Sequence, residues 1–536
     1  MPRRFAFRHP LVRRAVYEST GGGWRLVAHA RAASRLAARG APAAAQAHHI
    51  EQSAMQGDGA AIALLLEAGA ATAPRAPAAA ARWFGAALRL MPEADEAARL
   101  RTLTSLAQVL RSTGDLDRCV ATLLEAIDLV PAGETRLRVT LIAACAAAEN
   151  FLGRHEQAKR RLAAAFESLS DRGSHEAVTT LLALVAGAFF TLDVDAERGF
   201  ARRALIAARP LEDPVLIGAA ASALAQSAAN AGAMPETRSS VDEAAAHLDA
   251  VPDEALARHL DAVNRLAWSE FLIERYDDAI LHPARGVAVA RTTGQEQFGP
   301  LIVGARALSS ARRGDLAAAV ALQEEALETA EVAANAYVMC WVLTISAHVS
   351  METGDLDGAR RAAGRAVALM SGFGDSRVAA MARVRLAATR REMGDPAAGL
   401  DTLMRAAGGW ELTRIQPSWR VPYAEAMTRV ELGGGRVDDA EAFAACAESA
   451  AEELGLPVAT TMAQRARAAV RLARGDAEVG GRRRHRRARH GTSFLQCAAA
   501  GRRAPRGPGR VIQTNAAPDH YVAVARDGRD GEVRDP

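Results

Sequence analysis

The stretch GDLDGARRAAGRAV, at Gly354–Val367, has a near copy 40 residues earlier, GDLAAAVALQEEAL at Gly314–Leu327. Both begin with glycine and aspartate and carry alanine at the same later positions. Aligned on the opening residue, ten such segments follow one another at steps of 38 to 42 residues, opening at Gly114, Gly153, Thr191, Gly232, Glu274, Gly314, Gly354, Gly394, Gly435 and Gly475. A period this constant is typical of a solenoid.

Each position of the repeat has a physical role. Glycine readily adopts the left-handed backbone that ends a helix, and the next aspartate can accept hydrogen bonds from the free amides of the following helix. Small residues recur seven positions before the opening residue and five and twelve positions after it, where they lie on one helix face and allow close helix pairing. They are Ala107, Ala146, Ala267, Ala307, Ala347, Ala387 and Ala468; Cys119, Ala158, Ala279, Ala319, Ala359 and Ala440; and Ala126, Ala165, Gly286, Ala326, Ala366 and Ala447.

This pattern of small residues around G-D-L-x-x-A resembles the tetratricopeptide repeat, over about Arg75 to Ala477. The resemblance implies an all-α, right-handed solenoid of about ten to twelve helix pairs. The sequence departs from the family in its longer period, near 40 residues instead of about 34, and in the loss of most first-helix aromatic residues.

The inner surface of such a solenoid is lined mainly by the first helix of each pair. The resemblance places seven residues there as a ligand or partner groove: Asn264, Trp268, Trp341, His348, Arg391, Glu425 and Arg429. We expect protein or peptide segments, or a small-molecule inducer, to bind in this concavity. The alternative is that Trp268 and Trp341 are core residues between neighbouring repeats.

The beginning of the sequence carries a second resemblance. FRHPLVRRAVY at Phe7–Tyr17 and LAARGAP at Leu36–Pro42 are similar to the segment after the nucleotide-binding core of the large ATP-binding, MalT-like regulators of the LuxR family. The resemblance implies that residues 1–24 are the remnant of a winged-helix end of an ATPase module. Residues 25–74 would then be linking helices, and residues 75–478 the solenoid.

Two parts of that family are missing from this sequence. The single lysine, Lys159, follows no glycine-rich phosphate loop, and no LuxR-type helix-turn-helix is present. DNA contact is therefore expected only through domains absent here or weakly through the arginine-rich tail. We hypothesise a sensor and coupling module, a fragment of an ATP-dependent transcriptional regulator. The alternative is a stand-alone tetratricopeptide-type scaffold for peptide or protein partners.

The arginine-rich end of the sequence breaks the repeat. Residues 481–536 contain 13 arginines and 5 acids, whereas residues 1–480 contain 53 basic and 57 acidic groups, so the body is not a basic protein. We predict a disordered tail over residues 479–536. It is either a phosphate-contacting arm or an unselected extension such as a shifted reading frame produces. The arm would use Arg482, Arg483, Arg484, Arg486, Arg487 and Arg489.

The sequence also lacks the patterns of membrane proteins, metal sites and enzymes. No apolar run approaches the roughly 18 residues of a membrane helix, so we expect a soluble, cytoplasmic protein without membrane contact. The five cysteines have no metal-binding spacing, and the adjacent His48 and His49 would point about 100° apart on a helix. No catalytic or cofactor signature is visible, so we expect neither an enzyme nor a cofactor or metal.

Overall fold

The computed structural model describes residues 9–295, 298–333, 335–370, 376–394, 412 and 415–475. Over these residues the chain forms an all-α solenoid of antiparallel helix pairs, which confirms the predicted fold class. Each described helix is too short or too polar to span a membrane.

The helices are numbered along the described chain. They are α1 (Pro10–Ser19), α2 (Gly22–Ala37), α3 (Ala43–Ser53), α4 (Gly59–Thr72), α5 (Pro77–Leu90), α6 (Glu96–Ser112), α7 (Leu116–Asp128), α8 (Thr135–Phe151), α9 (His155–Glu167), α10 (His175–Thr191), α11 (Val194–Ala208), α12 (Pro214–Asn230), α13 (Met234–Asp249), α14 (Asp253–Leu256), α15 (Leu260–Leu272), α16 (Asp278–Thr292), α17 (Gly299–Arg313), α18 (Leu316–Ala333), α19 (Ala336–Thr353), α20 (Leu356–Leu369), α21 (Arg377–Glu392), α22 (Pro417–Gly433), α23 (Val437–Leu454) and α24 (Pro457–Arg474).

The predicted joints between paired helices have left-handed backbone. All eight glycines that open a repeat have φ between 73° and 98°, and Glu274, which stands at the same position, has φ of 65°. The joint placed at Thr191 is one residue later, because Leu192 is the left-handed residue there. The longest step of the repeat, 42 residues, contains the additional short helix α14.

Aspartate after the glycine caps some of the second helices but not all of them. Carboxylate oxygens of Asp315 and Asp355 accept the amides of Ala318 and Gly358 at 3.0 and 2.8 Å. Asp115 makes no such bond and instead pairs with Arg118 at 3.0 Å. The glycine is therefore the constant part of the joint, and the cap varies from unit to unit.

The small residues form the contact faces of the helix pairs. All the small residues named from the sequence are buried except Ala468, which is exposed in the last described helix. Gly286 shows how close the contact is, since a Cβ there would lie 2.8 Å from Cγ1 of Val263. Helical packing also extends before residue 75, because α2 packs on α3 and α4 packs on α5. The domain boundaries predicted from the sequence stay predictions.

The solenoid winds into a superhelix whose successive turns contact each other. The side chain of Arg377 donates to the carbonyl oxygen of Phe189 at 2.9 Å, and Ser418 donates to the carbonyl oxygen of Ala229 at 3.0 Å. These partners are 188 and 189 residues apart. One superhelical turn therefore takes between four and five repeats, and α10 and α12 of one turn contact α21 and α22 of the next.

Glu274 provides a further contact between turns. Its carboxylate accepts the amides of Val458 at 2.9 Å and Ala459 at 3.1 Å, in the first turn of α24. Leu456, the residue before α24, has an apolar side chain that cannot accept hydrogen bonds from these amides. Burial raises the pKa of Glu274, while the two amide hydrogen bonds oppose that shift. A residue 184 positions earlier thus acts as the N-cap of this helix.

Gly286→Ala is expected to destabilise the protein by about 1–3 kcal/mol, because the new methyl group would overlap Val263 between α15 and α16. The matched control is Gly364→Ala in α20, where a Cβ would meet nothing within 4 Å and helix propensity improves by roughly 0.5–1 kcal/mol. Urea unfolding followed by circular dichroism measures both changes. Equal shifts in the two variants would contradict the close-contact interpretation.

Glu274→Ala is expected to lower stability by about 1–3 kcal/mol, because two amides in the first turn of α24 lose their acceptor. Glu212→Ala is the control, since Glu212 also has left-handed backbone but is exposed. Hydrogen–deuterium exchange should report faster exchange in residues 457–462 of the first variant alone. Unchanged exchange there would show that the contact between turns does not stabilise α24.

Candidate ligand site inside the superhelix

Trp268 and Trp341 meet inside the superhelix, against the middle of α17. Their rings pack edge to face with centroids 5.2 Å apart, and the residues are only 5% and 9% exposed. Gly304 makes room for them, because a Cβ there would lie 3.0 Å from Cζ2 of Trp268 and 3.4 Å from Nε1 of Trp341. The two indoles are thus enclosed by α15, α17 and α19 and do not line an open groove.

Buried polar atoms on α15 and α19 have no hydrogen-bond partner in the described structure, and Asn264 lies one helical turn before Trp268. Nε1 of Trp268, Nε1 of Trp341 and Oδ1 of Asn264 are all buried and unpaired, and Nη1 of Arg265 joins them. An unsatisfied buried polar group costs about 1–3 kcal/mol, so such groups call for water or a ligand. We name Asn264, Trp268, Gly304 and Trp341 the indole site.

His348 lies in a buried charged network further along the inner face. Its Nδ1 accepts from Arg385 at 2.6 Å, and its Nε2 lies 3.4 Å from Glu352, which also pairs with Arg312 at 3.2 Å. Burial and the Arg385 charge lower the pKa of His348 to about 4. Although burial opposes ionisation of Glu352, its bond to His348 and the Arg312 charge lower its pKa to about 2. At neutral pH the network therefore holds a neutral imidazole between fixed charges.

Glu425 and Arg429 lie at the edge of the interior. Glu425 is buried and accepts from Arg465 at 2.8 Å, and burial raises its pKa against the pull of Arg465 and Arg429. Arg429 is exposed and lies 3.5 Å from Glu392. Arg429 is therefore accessible from solvent, whereas Glu425, like the indole site, is enclosed.

The remaining predicted site residues lie outside the described residues. They are the side chain of Arg391 and the tail residues Arg482, Arg483, Arg484, Arg486, Arg487 and Arg489. Their assignment to a groove or to a phosphate-contacting arm stays a prediction.

Sequence reasoning missed several interior residues. Arg312 and Glu352 are 40 residues apart, so a charge at the same phase of two consecutive repeats is a signal that could have found them. Arg377 and Glu197, by contrast, form a buried pair at 3.3 Å that joins positions 180 residues apart. No local pattern marks that pair, because it depends on the superhelical pitch.

The fold places the chain in the class of tetratricopeptide-like helical solenoids. No protein-family model and no curated protein sequence matches it. Solved structures similar to it include a Rap protein complexed with the competence and sporulation factor, at 13% identity and TM-score 0.45, covering 68% of this chain and 100% of that one.

Two further solved structures have a similar helical-repeat architecture. The Rap conjugation gene regulator of plasmid pLS20, in complex with the Phr* peptide, has 12% identity and TM-score 0.40, covering 72% of this chain and 97% of that one. The apo form of RapI has 8% identity and TM-score 0.38, covering 72% and 99%. Scores below 0.5 are too low to transfer a binding site or an activity to this chain.

Proposed function

We propose that the chain is a recognition solenoid that binds a peptide segment of a protein partner at the indole site. The observation that supports this most directly is the set of buried polar atoms without partners, Nε1 of Trp268 and Trp341 and Oδ1 of Asn264. Because two of these atoms donate and one accepts, a ligand that satisfies them must offer both kinds of group.

A peptide backbone matches this requirement. Its carbonyl oxygens accept from indole N–H groups, and its amides donate to an asparagine oxygen. Indole side chains also contribute large contact areas at recognition sites. Since the two tryptophans are almost completely buried, the ligand must enter by separating the side chains that now cover them.

Within this function, the finer proposal is a sensor and coupling module of an ATP-dependent LuxR-family regulator. Its support is the sequence resemblance at Phe7–Tyr17 and Leu36–Pro42. In such a regulator the ligand of the indole site would be an inducer or a controlling protein segment. A stand-alone scaffold uses the same site without an attached ATPase or DNA-binding domain.

A random peptide library selected against the full chain is expected to yield binders whose dissociation constant rises about tenfold in Trp268→Phe, which removes one indole donor. Asn264→Ala is a second variant, because it removes the acceptor without changing the indole packing. Trp24→Phe is the control, since Trp24 is 66% exposed in α2 and far along the chain from the site.

Calorimetric titration measures the affinities, and thermal unfolding verifies that each variant is folded. Binders that keep their affinity in both Trp268→Phe and Asn264→Ala would refute the indole site as the recognition site. Failure to enrich any binder would favour a small-molecule inducer over a peptide.

The regulator proposal predicts the content of the neighbouring DNA. Upstream of Met1 we expect an ATPase core with the phosphate loop G-x-x-x-x-G-K-[ST]. In a frame adjacent to that of residues 479–536 we expect further repeats and a helix-turn-helix. Translating the locus in all frames tests both, and an isolated gene with its own ribosome-binding site would favour the stand-alone scaffold.

A further inference from the structure

Three histidines and one tyrosine meet where the first three helices come together. Nε2 of His29, in α2, lies 2.9 Å from the hydroxyl of Tyr17 in α1, and Nδ1 of His29 lies 2.8 Å from Nδ1 of His49 in α3. The His48 ring lies against both imidazoles, with centroids 5.5 Å from His29 and 5.4 Å from His49. We name Tyr17, His29, His48 and His49 the histidine clasp. Among the described residues no such group has metal-binding geometry.

The short bond between the two Nδ1 atoms limits how many protons the clasp can hold. One of the two nitrogens must donate and the other must accept. A single additional proton is compatible with this bond, because a charged His29 can donate to His49 and to Tyr17 at once. A second proton places N–H against N–H and two positive charges side by side, so the bond cannot survive it.

The charged groups around the clasp are mainly positive. The Arg25 guanidinium of α2 lies 5.2 Å over the Tyr17 ring, and Nη2 of Arg82, in α5, lies 3.0 Å from Nδ1 of His48. Because an arginine can only donate, this contact requires a lone pair on His48. The nearby acid is Glu51 of α3, which is paired with Arg82 and lies 3.6 Å from Arg89. Little negative charge is left to compensate protonated histidines.

The clasp also contains the side-chain hydrogen bond that joins α1 to the solenoid. Among the hydrogen bonds of the described residues, the bond between Tyr17 and His29 is the one that leads from a side chain of α1 to another helix. The other side-chain bonds of α1 stay within it or its caps, such as that from Arg14 to Glu18. Leu11, Val12 and Val16 of α1 are exposed, so little apolar burial holds the helix in place.

We propose that the histidine clasp is a proton-sensitive attachment that holds α1 on the solenoid at neutral pH and releases it in mild acid. Loss of the bond between His29 and His49 frees the His29 ring to turn, which weakens its bond to Tyr17. Release separates α1 from α2, and the exposed Leu11, Val12 and Val16 leave α1 with little apolar contact to hold it. The clasp is separate from the indole site, because more than 200 residues of the chain lie between His49 and Asn264.

The electrostatic environment favours the same direction. Burial, His49, His48 and Arg25 lower the pKa of His29. A histidine whose pKa is lowered in the attached state stabilises attachment fully above its ordinary value of about 6.5. That stabilisation is lost as the pH falls through the lowered value. Attachment is therefore expected to be complete at about pH 7.5 and lost towards about pH 5.

Hydrogen–deuterium exchange of the full chain tests the proposal, after correction for the intrinsic pH dependence of exchange. Protection of residues 10–19 is expected to fall at least about tenfold between about pH 7.5 and about pH 5. In His49→Asn the amide can still bond to His29 but cannot take a proton, so protection is expected to persist in acid. Tyr17→Phe removes the bond to His29, so at about pH 7.5 it should lower protection to the level that the natural chain shows at about pH 5.

His259→Asn is the matched control, because it removes a half-buried histidine remote from the clasp and should leave the pH dependence unchanged. Exchange in α12 reports whether the solenoid itself stays folded in acid. The proposal is overturned if α1 keeps its protection at about pH 5, if His49→Asn loses protection as the natural chain does, or if α12 loses protection together with α1.

Discussion

Close contact between small side chains is the constraint on which the rest of this structure depends. Ala279, Ala319 and Ala359 are completely buried at the same position of successive units, so each second helix packs closely on its neighbours at that position. Because a solenoid repeats its local geometry, a constant distance and a constant left-handed joint give a constant rotation from one unit to the next. The pitch of the superhelix follows from that rotation.

That pitch brings turns into contact, and the contacts explain the buried polar residues. Arg377, Ser418 and Glu274 each reach across roughly the same distance along the chain, between 180 and 189 residues, to satisfy a carbonyl oxygen, a carboxylate or free amides of another turn. Single repeats cannot satisfy these groups themselves. The contacts therefore join successive turns of the solenoid to each other.

The sequence predicts the local part of this structure well and the long-range part poorly. Gly314 and Gly354 predict left-handed joints because backbone sterics act within a few residues. The repeat spacing placed one joint at Thr191, but the left-handed residue is Leu192. No glycine marks the position of the joint in this unit. Glu274 as a cap for α24 could not be predicted, because its partner is fixed by the pitch. Trp268 and Trp341 were predicted to lie on the inner face, but their enclosure depends on the space that Gly304 leaves for them, which the repeat pattern does not reveal.

Enclosure of the indole site couples ligand access to the contacts between turns. Any ligand that reaches Nε1 of Trp268 must separate helices whose packing also includes the Trp419 ring, which lies 5.8 Å from Phe271 and 6.1 Å from His348. The free energy of binding must therefore exceed the cost of that separation. Satisfying several buried polar groups, each worth about 1–3 kcal/mol, is enough to offset the loss of a few such contacts. Ligand binding at the indole site therefore depends on two opposing free energies. Hydrogen bonds to the unpaired polar atoms favour binding, and the loss of contacts between turns opposes it.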